Sequence, residues 1–434
     1  MLDLSRRDFT RLLALSGSAA FFPQSAIAQT AAPLRELGLT NAPLPPTPRE
    51  PDEKFWQDVR ARFLLPRDLG FLNAANLCPT SLPVVDALDR NVRHYENNPS
   101  PEVRTGLMRG REETRKLLAE MLRVTPEEIV ITRNTSEGNN VVSSGLDLKA
   151  GDEIIVFSDN HPSNLRAWQE KGKRFGFTVV SVPHVNPHPG TEYYVAEFKK
   201  AITSRTRVVA VTHVSSNSGD LFPAAEVFAM ARELGVLTLL DGAQSFGVLD
   251  VDLSAIKPDF YTGSSHKWPC GPKEMGVLFV NKAVHDRVWP SVISLYQGAV
   301  GISQKLEGNG QRDDAKLATF GEALKFQNAI GRAAIDKRAR QLSQHLIARV
   351  SKLDGVKLWT HTDPSRSASI VIFQPGSLDP RRLGAALTEK ERFVVTIRAG
   401  QDRPGLRVSP HFYNTMAEMD RLADTVGRYL KSGV

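Results

Sequence analysis

Cysteine is almost missing from this chain: 434 residues contain two, Cys78 and Cys270. Neither belongs to a CxxC pair, so a zinc site of that kind has no ligands and no metal site is expected. A disulfide framework is excluded as well. A single bridge between the two stays open but is disfavoured, because each lies beside a proline or glycine in a segment assigned below to the active-site region. Long apolar runs are also missing. The stretch Leu12 to Phe22 is too short to span a membrane, and no other segment reaches that length. There is no internal repeat. The net charge is +7, yet no dense basic run interleaved with aromatics accompanies it. Basic residues alternate with acids, as in Arg111-Glu112-Glu113-Thr114-Arg115-Lys116, which reads as a mixed, solvated surface and not as a nucleic-acid footprint.

What is present begins with a targeting signature. Ser5-Arg6-Arg7-Asp8-Phe9 precedes the short apolar core, and Ala26-Ile27-Ala28 follows as an A-x-A cleavage site before Gln29. Charged region, apolar core and small-residue site are the three parts of a secretory signal. The paired arginines followed by Asp and Phe look like a twin-arginine (Tat) signal over residues 1–28, with an ordinary Sec signal as the other reading. The Tat translocase carries folded proteins, so any cofactor made in the cytoplasm would be loaded before export. A periplasmic or otherwise exported location is expected. Residues 29–70 read as a linker and N-terminal arm, rich in proline at Pro43, Pro45, Pro46, Pro48 and Pro51.

The remainder is long enough and, at 41% hydrophobic and 24% charged, ordinary enough for a large domain plus a smaller one. Val103 to Leu122 predicts an amphipathic helix. Short apolar runs predict strands at Glu128–Thr132, Glu153–Phe157, Val179–Val182, Arg207–Val211, Val236–Leu240 and Gly276–Val280, with helices such as Ala224–Leu234 between several of them. Such alternation means an α/β fold with a mostly parallel sheet. It covers residues 71–320. Residues 321–434 change texture. One long helical region, Leu317 to Leu353, leads to strand-like Ser369–Phe373 and Val394–Ile397 and a last helix over Ala417–Leu430, a smaller α+β domain.

Ligands of such sheets bind at the carboxyl ends of the strands. Four of those ends are informative. Asn134-Thr135-Ser136-Glu137-Gly138-Asn139 supplies hydroxyls and free backbone N–H groups at a helix start, an anion site or a plain helix cap. His161, in Asp159-Asn160-His161-Pro162, is either structural or a ring-stacking partner. Asp241-Gly242-Ala243-Gln244 directly follows an apolar strand, so Asp241 either caps a helix or faces a ring nitrogen. Ser264-Ser265-His266-Lys267-Trp268 sets a lysine among polar and aromatic neighbours, and a Schiff-base lysine needs the lowered pKa that burial and a nearby cation supply.

In this order and at these separations the strings resemble the class V aminotransferase family of fold type I pyridoxal-phosphate (PLP) enzymes, from about Gly70 to Tyr413. The specific part is Asp241-x-x-Gln244 followed by His266-Lys267. The resemblance implies a mostly parallel sheet of the seven-stranded type and pyridoxal 5'-phosphate as cofactor. It makes Lys267 the catalytic, cofactor-bearing lysine. Asp241 falls on the pyridine nitrogen, Gln244 on the phenolic oxygen and His161 on the stacking position. Thr135, Ser136, Ser264 and His266 fall on phosphate contacts. Arg407 matches the arginine that holds a substrate carboxylate, with a surface ion pair as the other reading. The family is dimeric, and Gly310-Gln311-Arg312-Asp313 looks like the loop by which Gln311 reaches the neighbouring subunit's phosphate.

The family divides into cysteine desulfurases, kynureninase-like lyases, isopenicillin N epimerase-like proteins and aminotransferases. Desulfurases carry a cysteine nucleophile on a loop in the C-terminal half. The matching region, Thr396 to Pro404, has none, and no cysteine follows Cys270. Ser216 stands where relatives often have asparagine. Tyr95-Glu96-Asn97-Asn98-Pro99 and the Gly310–Asp313 loop are most similar to the epimerase-like branch. The expected activity is therefore epimerisation or transamination at the α-carbon of an amino acid. A PLP-dependent C–S or C–C lyase and a non-catalytic exported binding protein are the alternatives.

Overall fold

The computed structural model describes residues 39–400 and 402–434. The expected signal peptide and the first part of the arm lie outside these residues. Asn41–Val434 form one compact unit. The arm continues through residues 41–52 without helix or strand and then forms α1 (Glu53–Arg60), capped by the Asp52 side chain. Among the described residues no helix is long and apolar enough to cross a membrane, and no cluster of three or more His, Cys, Asp or Glu is placed to hold a metal.

Helices α2 (Leu82–Asn97) and α3 (Pro101–Leu122) lead into a seven-stranded sheet. Its strands are β1 (Ile129–Thr132), β2 (Glu153–Phe157), β3 (Thr178–Val182), β4 (Thr206–Thr212), β5 (Leu237–Asp241), β6 (Phe260–Ser264) and β7 (Gly276–Val280). The spatial order is β1-β7-β6-β5-β4-β2-β3. Every neighbouring pair is parallel except those made by β7, which runs antiparallel to both β1 and β6. β1, β2, β5, β6 and β7 are buried along their whole length, which is why all of these but β6 read as apolar runs without alternation. Because β7 alone is reversed, β1, β2, β4, β5 and β6 all end on the same edge of the sheet. Helices α4 (Thr135–Gly145) and α5 (Pro162–Phe175) start from that edge after β1 and β2, and α6 (Ala224–Glu233) precedes β5.

The expected long helix after residue 317 is two: α7 (Asp314–Ile330) and α8 (Arg332–Val350), parted at Gly331 with φ +94°, a conformation that favours glycine. A four-stranded antiparallel sheet follows, built from β8 (Val356–Leu358), β9 (Val371–Pro375), β10 (Thr396–Arg398) and β11 (Gly405–Val408) in the order β10-β11-β9-β8. With α9 (Pro380–Glu389) and α10 (Met416–Ser432) it encloses a hydrophobic cluster of its own, in which Leu342, Phe373, Leu387, Leu406 and Leu422 meet.

Candidate active site

The five strand ends converge on a cavity of about 260 Å³. Its walls come from Asn134 to Ser136 after β1, His161 and Ser163 after β2, Thr212 and Ser216 after β4, Asp241 to Gln244 after β5, and Ser264, His266 and Lys267 after β6. All the expected cofactor residues of this chain are thus brought together, apart from Gln311.

Lys267 stands in a turn that the core fixes. Trp268 is fully buried; its Nε1 donates to Gln244 Oε1 at 2.9 Å, and its carbonyl accepts from His411 Nε2 at 2.7 Å and Gln327 Nε2 at 2.8 Å. The Cys78 amide donates to the His266 carbonyl at 2.8 Å. Cys78 and Cys270 are free, buried thiols in this packing. Among the described residues nothing hydrogen-bonds to the Lys267 amine, which lines the cavity. Burial, reinforced by the Arg407 cation and opposed by Asp241, pulls its pKa down from 10.5 to about 8.

Asp241 is the last residue of β5 and is buried. Its Oδ2 accepts from Asn139 Nδ2 at 2.9 Å and Asn164 Nδ2 at 3.3 Å, and its Oδ1 from the Ala243 amide at 3.0 Å. Asn139 is itself held by Thr262 (3.0 Å), and Asn164 by Trp168 (3.1 Å). These two asparagines fix the carboxylate; Asn139 closes the string quoted after β1, and Asn164 has no signal in the sequence. The approach of Gly242 to Tyr261 is close: a Cβ there would meet the tyrosine ring at 2.2 Å.

At the α4 N-terminus the Thr135 amide and hydroxyl lie 2.9 and 2.7 Å from Ser264 Oγ, while Ser136 is exposed to the cavity. Burial, with the Lys267 and Lys273 cations, pulls His266 down to about 4, so at neutral pH it offers an uncharged ring. Gln244 spends one amide hydrogen on the Ala75 carbonyl (2.9 Å) and keeps the other. His161 caps α5, its Nδ1 accepting from the Ser163 amide at 3.2 Å. Its ring is open on one side, yet burial first, then the Lys267 and Arg407 cations, lower its pKa.

Arg407 sits on β11 opposite Thr396 of β10. Its Nη2 donates to Thr396 Oγ1 at 3.1 Å and Nη1 to the Ser216 carbonyl at 3.4 Å; buried Nε has no partner. No carboxylate pairs with it among the described residues, so the ion-pair reading does not hold. Burial and the Arg398 cation lower it to about 10. Gln311 is exposed, 3.5 Å from Tyr296 Oη, and borders a different pocket with Arg133, Glu137 and Glu274.

This donor set fits pyridoxal phosphate. A free amine of depressed pKa suits the aldehyde, a buried carboxylate the ring nitrogen, a spare amide hydrogen the phenolic oxygen, and hydroxyls at a helix N-terminus the phosphate.

An open α/β sheet with one reversed strand, a half-buried lysine after β6 and an aspartate ending β5 is the fold of the fold type I PLP-dependent enzymes. Residues 71–422 match the model of the aminotransferase class-V family, and the chain belongs to that family. A probable cysteine desulfurase of Methanothermobacter thermautotrophicus is 29% identical over 85% of this chain and 97% of its own length. The isopenicillin N epimerase of Streptomyces clavuligerus is also 29% identical, over 86% and 97%. Among solved structures, a cysteine desulfurase from Escherichia coli matches with TM-score 0.76 at 25% identity, over 87% of this chain and 99% of that one. The cystine C–S lyase C-DES, in complex with cysteine persulfide, matches with TM-score 0.78 at 24% identity, over 83% and 98%.

Proposed function

We propose that the protein is a PLP enzyme acting at the α-carbon of an amino acid, by epimerisation or transamination. The observation that carries this is the unpartnered Lys267 amine, lowered to about 8 and facing the same cavity as buried Asp241. PLP bound there withdraws electrons from the α-carbon of an amino acid joined to it. The chain's own residues do the rest. Asp241 would accept a hydrogen bond from the protonated ring nitrogen and so keep that proton on the ring. Hydroxyls of Thr135, Ser136 and Ser264 and the uncharged His266 ring take the phosphate. The Arg407 guanidinium would receive the amino acid's carboxylate and so fix its orientation. At pH 7 about a tenth of such an amine is neutral, against about one in three thousand for an unperturbed lysine. Lys267 Nζ then accepts the α-proton and returns it. Gln311 is assigned to the partner's site in a homodimer, and residues 1–28 to export through the Tat translocase into the periplasm.

A C–S or C–C lyase is the second reading. It is favoured by the desulfurase and C–S lyase relatives. A lyase of that kind would have to leave its sulfur on the product, because Cys78 and Cys270 are 2% and 1% exposed and burial raises the Cys270 thiol. Incubating residues 29–434 with PLP and an amino-acid panel in D2O tests both readings. Proton NMR should show loss of the α-hydrogen signal in the wild type and not in Lys267→Ala, and the products separate epimer, keto acid and cleavage. A PLP-loaded protein that exchanges no α-hydrogen refutes the α-carbon reading for that panel. Fractionation of cells expressing the full chain, with Arg6 and Arg7 changed to lysine as control, tests export.

A further inference from the structure

A second buried charge cluster adjoins the cavity without entering the chemistry above. β10 ends at Arg398 and β11 begins at Gly405, and Arg403 lies in the connection between them. The Arg403 guanidinium meets Asp159 as a fork: Nη1 is 3.1 Å from Oδ2, and Nη2 donates to Oδ1. Asp159 stands two residues before His161. The pair is inside the protein, Asp159 3% and Arg403 7% exposed. Ser215 Oγ and Asn217 Nδ2 (3.3 Å) donate to the same carboxylate. Behind it, His184 Nδ1 is 3.1 Å from Arg403 Nη1 and His184 Nε2 is 2.8 Å from Asp220 Oδ2, while exposed Asp402 reaches Arg403 Nη2 at 3.2 Å. Burial opposes both charges, but the mutual contact wins: the carboxyl of Asp159 is held below its ordinary range and Arg403 above its own.

The contacts continue from this pair to the amino-acid end of the cavity. The Arg403 carbonyl accepts from Arg398 Nε at 3.1 Å, and Arg398 Nη1 donates to Asn217 Oδ1 at 3.0 Å. Between Ser215 and Asn217 stands Ser216, a wall of the cavity whose carbonyl receives Arg407 Nη1. One ion pair therefore joins the segment before His161, the segment around Ser216 and the connection that carries Arg403. A connection of this kind is ordinarily a mobile part of a fold. A buried fork adds little net stability after desolvation but fixes one geometry.

We propose that Asp159 and Arg403 are positioning residues, a latch that holds the β10–β11 connection against the cavity and keeps Arg398, Ser216 and Arg407 in one arrangement for the amino acid. The latch itself stands on the contacts above; its effect on binding rests on the reading of the cavity as an amino-acid site. The test uses the PLP-loaded full chain with two readouts, amide hydrogen exchange across residues 396–406 and the change in cofactor absorbance on titration with glycine. Asp159→Asn and Arg403→Gln should raise exchange across 396–406 and weaken glycine, each about tenfold or more, with cofactor content and the protection of β5 unchanged. Arg403→Lys, which keeps the charge without the fork, should recover part of both. Unchanged loop protection and glycine affinity would overturn the proposal, and so would exchange rising equally in the loop and in β5. If Asp159→Asn does not fold, Asn217→Ala, which cuts one bond to the carboxylate and the contact to Arg398, carries the same expectation at smaller size. If loop exchange rises while even the wild type ignores glycine, the latch stands and the amino-acid reading of the cavity fails.

Discussion

Replacing Lys267 by methionine should make the apoprotein more stable at neutral pH while abolishing its chemistry. Burial holds the folded amine at about 8 against 10.5 for the unfolded chain. Below pH 8 both states keep the proton, and the folded state bears the whole penalty of a charge it disfavours. Between about 8 and 10.5 the folded state gives up its proton while the unfolded state retains it, so stability rises with pH; above 10.5 both are neutral and the penalty is gone. At about 1.4 kcal/mol per pH unit the penalty at pH 7 is about 3 kcal/mol. Lys267→Met removes the charge at similar length, so urea unfolding of the PLP-free protein should show a gain of about 3 kcal/mol at pH 7 that shrinks to about 1 kcal/mol at pH 9.5. The rate at which wild-type apoprotein captures PLP should climb with pH through about 8. A variant less stable than wild type at pH 7, or a gain independent of pH, would refute the assignment of an amine whose charge the fold disfavours.

Three further outcomes follow from contacts described above or from the core. Glu307→Gln should cost about 3 kcal/mol in urea unfolding, because it breaks a fully buried pair in which Arg115 Nη1 and Nη2 lie 2.6 and 2.9 Å from the carboxylate; a loss under 1 kcal/mol would show the pair to be solvated. Gly242→Ala should lower the melting temperature and weaken PLP retention, with a cost of about 1–3 kcal/mol, since the new methyl meets a tyrosine ring that is itself fully buried. Unchanged PLP retention would mean that the strand end carrying Asp241 tolerates a shift. Arg407→Gln should raise KM for the amino acid about 10- to 100-fold, equivalent to a charged hydrogen bond, without lowering apoprotein stability; a drop in stability with KM unchanged would make Arg407 a packing residue.

The cavity residues that follow β1, β2 and β5 were legible because each group sits where an apolar run stops. β2 and β7 span the segments read from composition, Glu153–Phe157 and Gly276–Val280. The strand that delivers Lys267 was not legible. β6, Phe260-Tyr261-Thr262-Gly263-Ser264, is buried throughout yet half polar, because Thr262 serves Asn139, Ser264 serves Thr135, and Gly263 leaves room for the Phe246 ring. Its polar residues answer tertiary partners that periodicity cannot register. β11 escaped for a similar reason: it holds a glycine and, at Arg407, a residue whose value lies in the site. The segment Val394–Ile397 divides into Phe393–Val394, paired with Gly70–Phe71, and β10. The helix after residue 317 reads as continuous because its apolar spacing carries through Gly331, where only the backbone turns.

The charges of the cavity explain why so many of its residues read ambiguously one at a time. Lys267 and Arg407 are cations that burial disfavours, and Arg407 adds to the depression at Lys267; Asp241, on the cavity wall, is the carboxylate that opposes it there. His161 and His266 are both pushed toward neutrality, by burial first and then by Lys267, with Arg407 adding at His161 and Lys273 at His266. The N-terminus of α4 adds partial positive charge beside Thr135. A fold that gathers this much positive potential around one carboxylate is matched by a ligand bearing two separated anionic groups and one protonated nitrogen. A phosphate at α4, a ring nitrogen at Asp241 and a carboxylate at Arg407 meet that requirement together. A ligand group at only one of the three would leave the other two uncompensated, so cofactor and amino acid are expected to strengthen each other's binding, and amino-acid affinity measured on PLP-free protein should be lower than on the loaded enzyme.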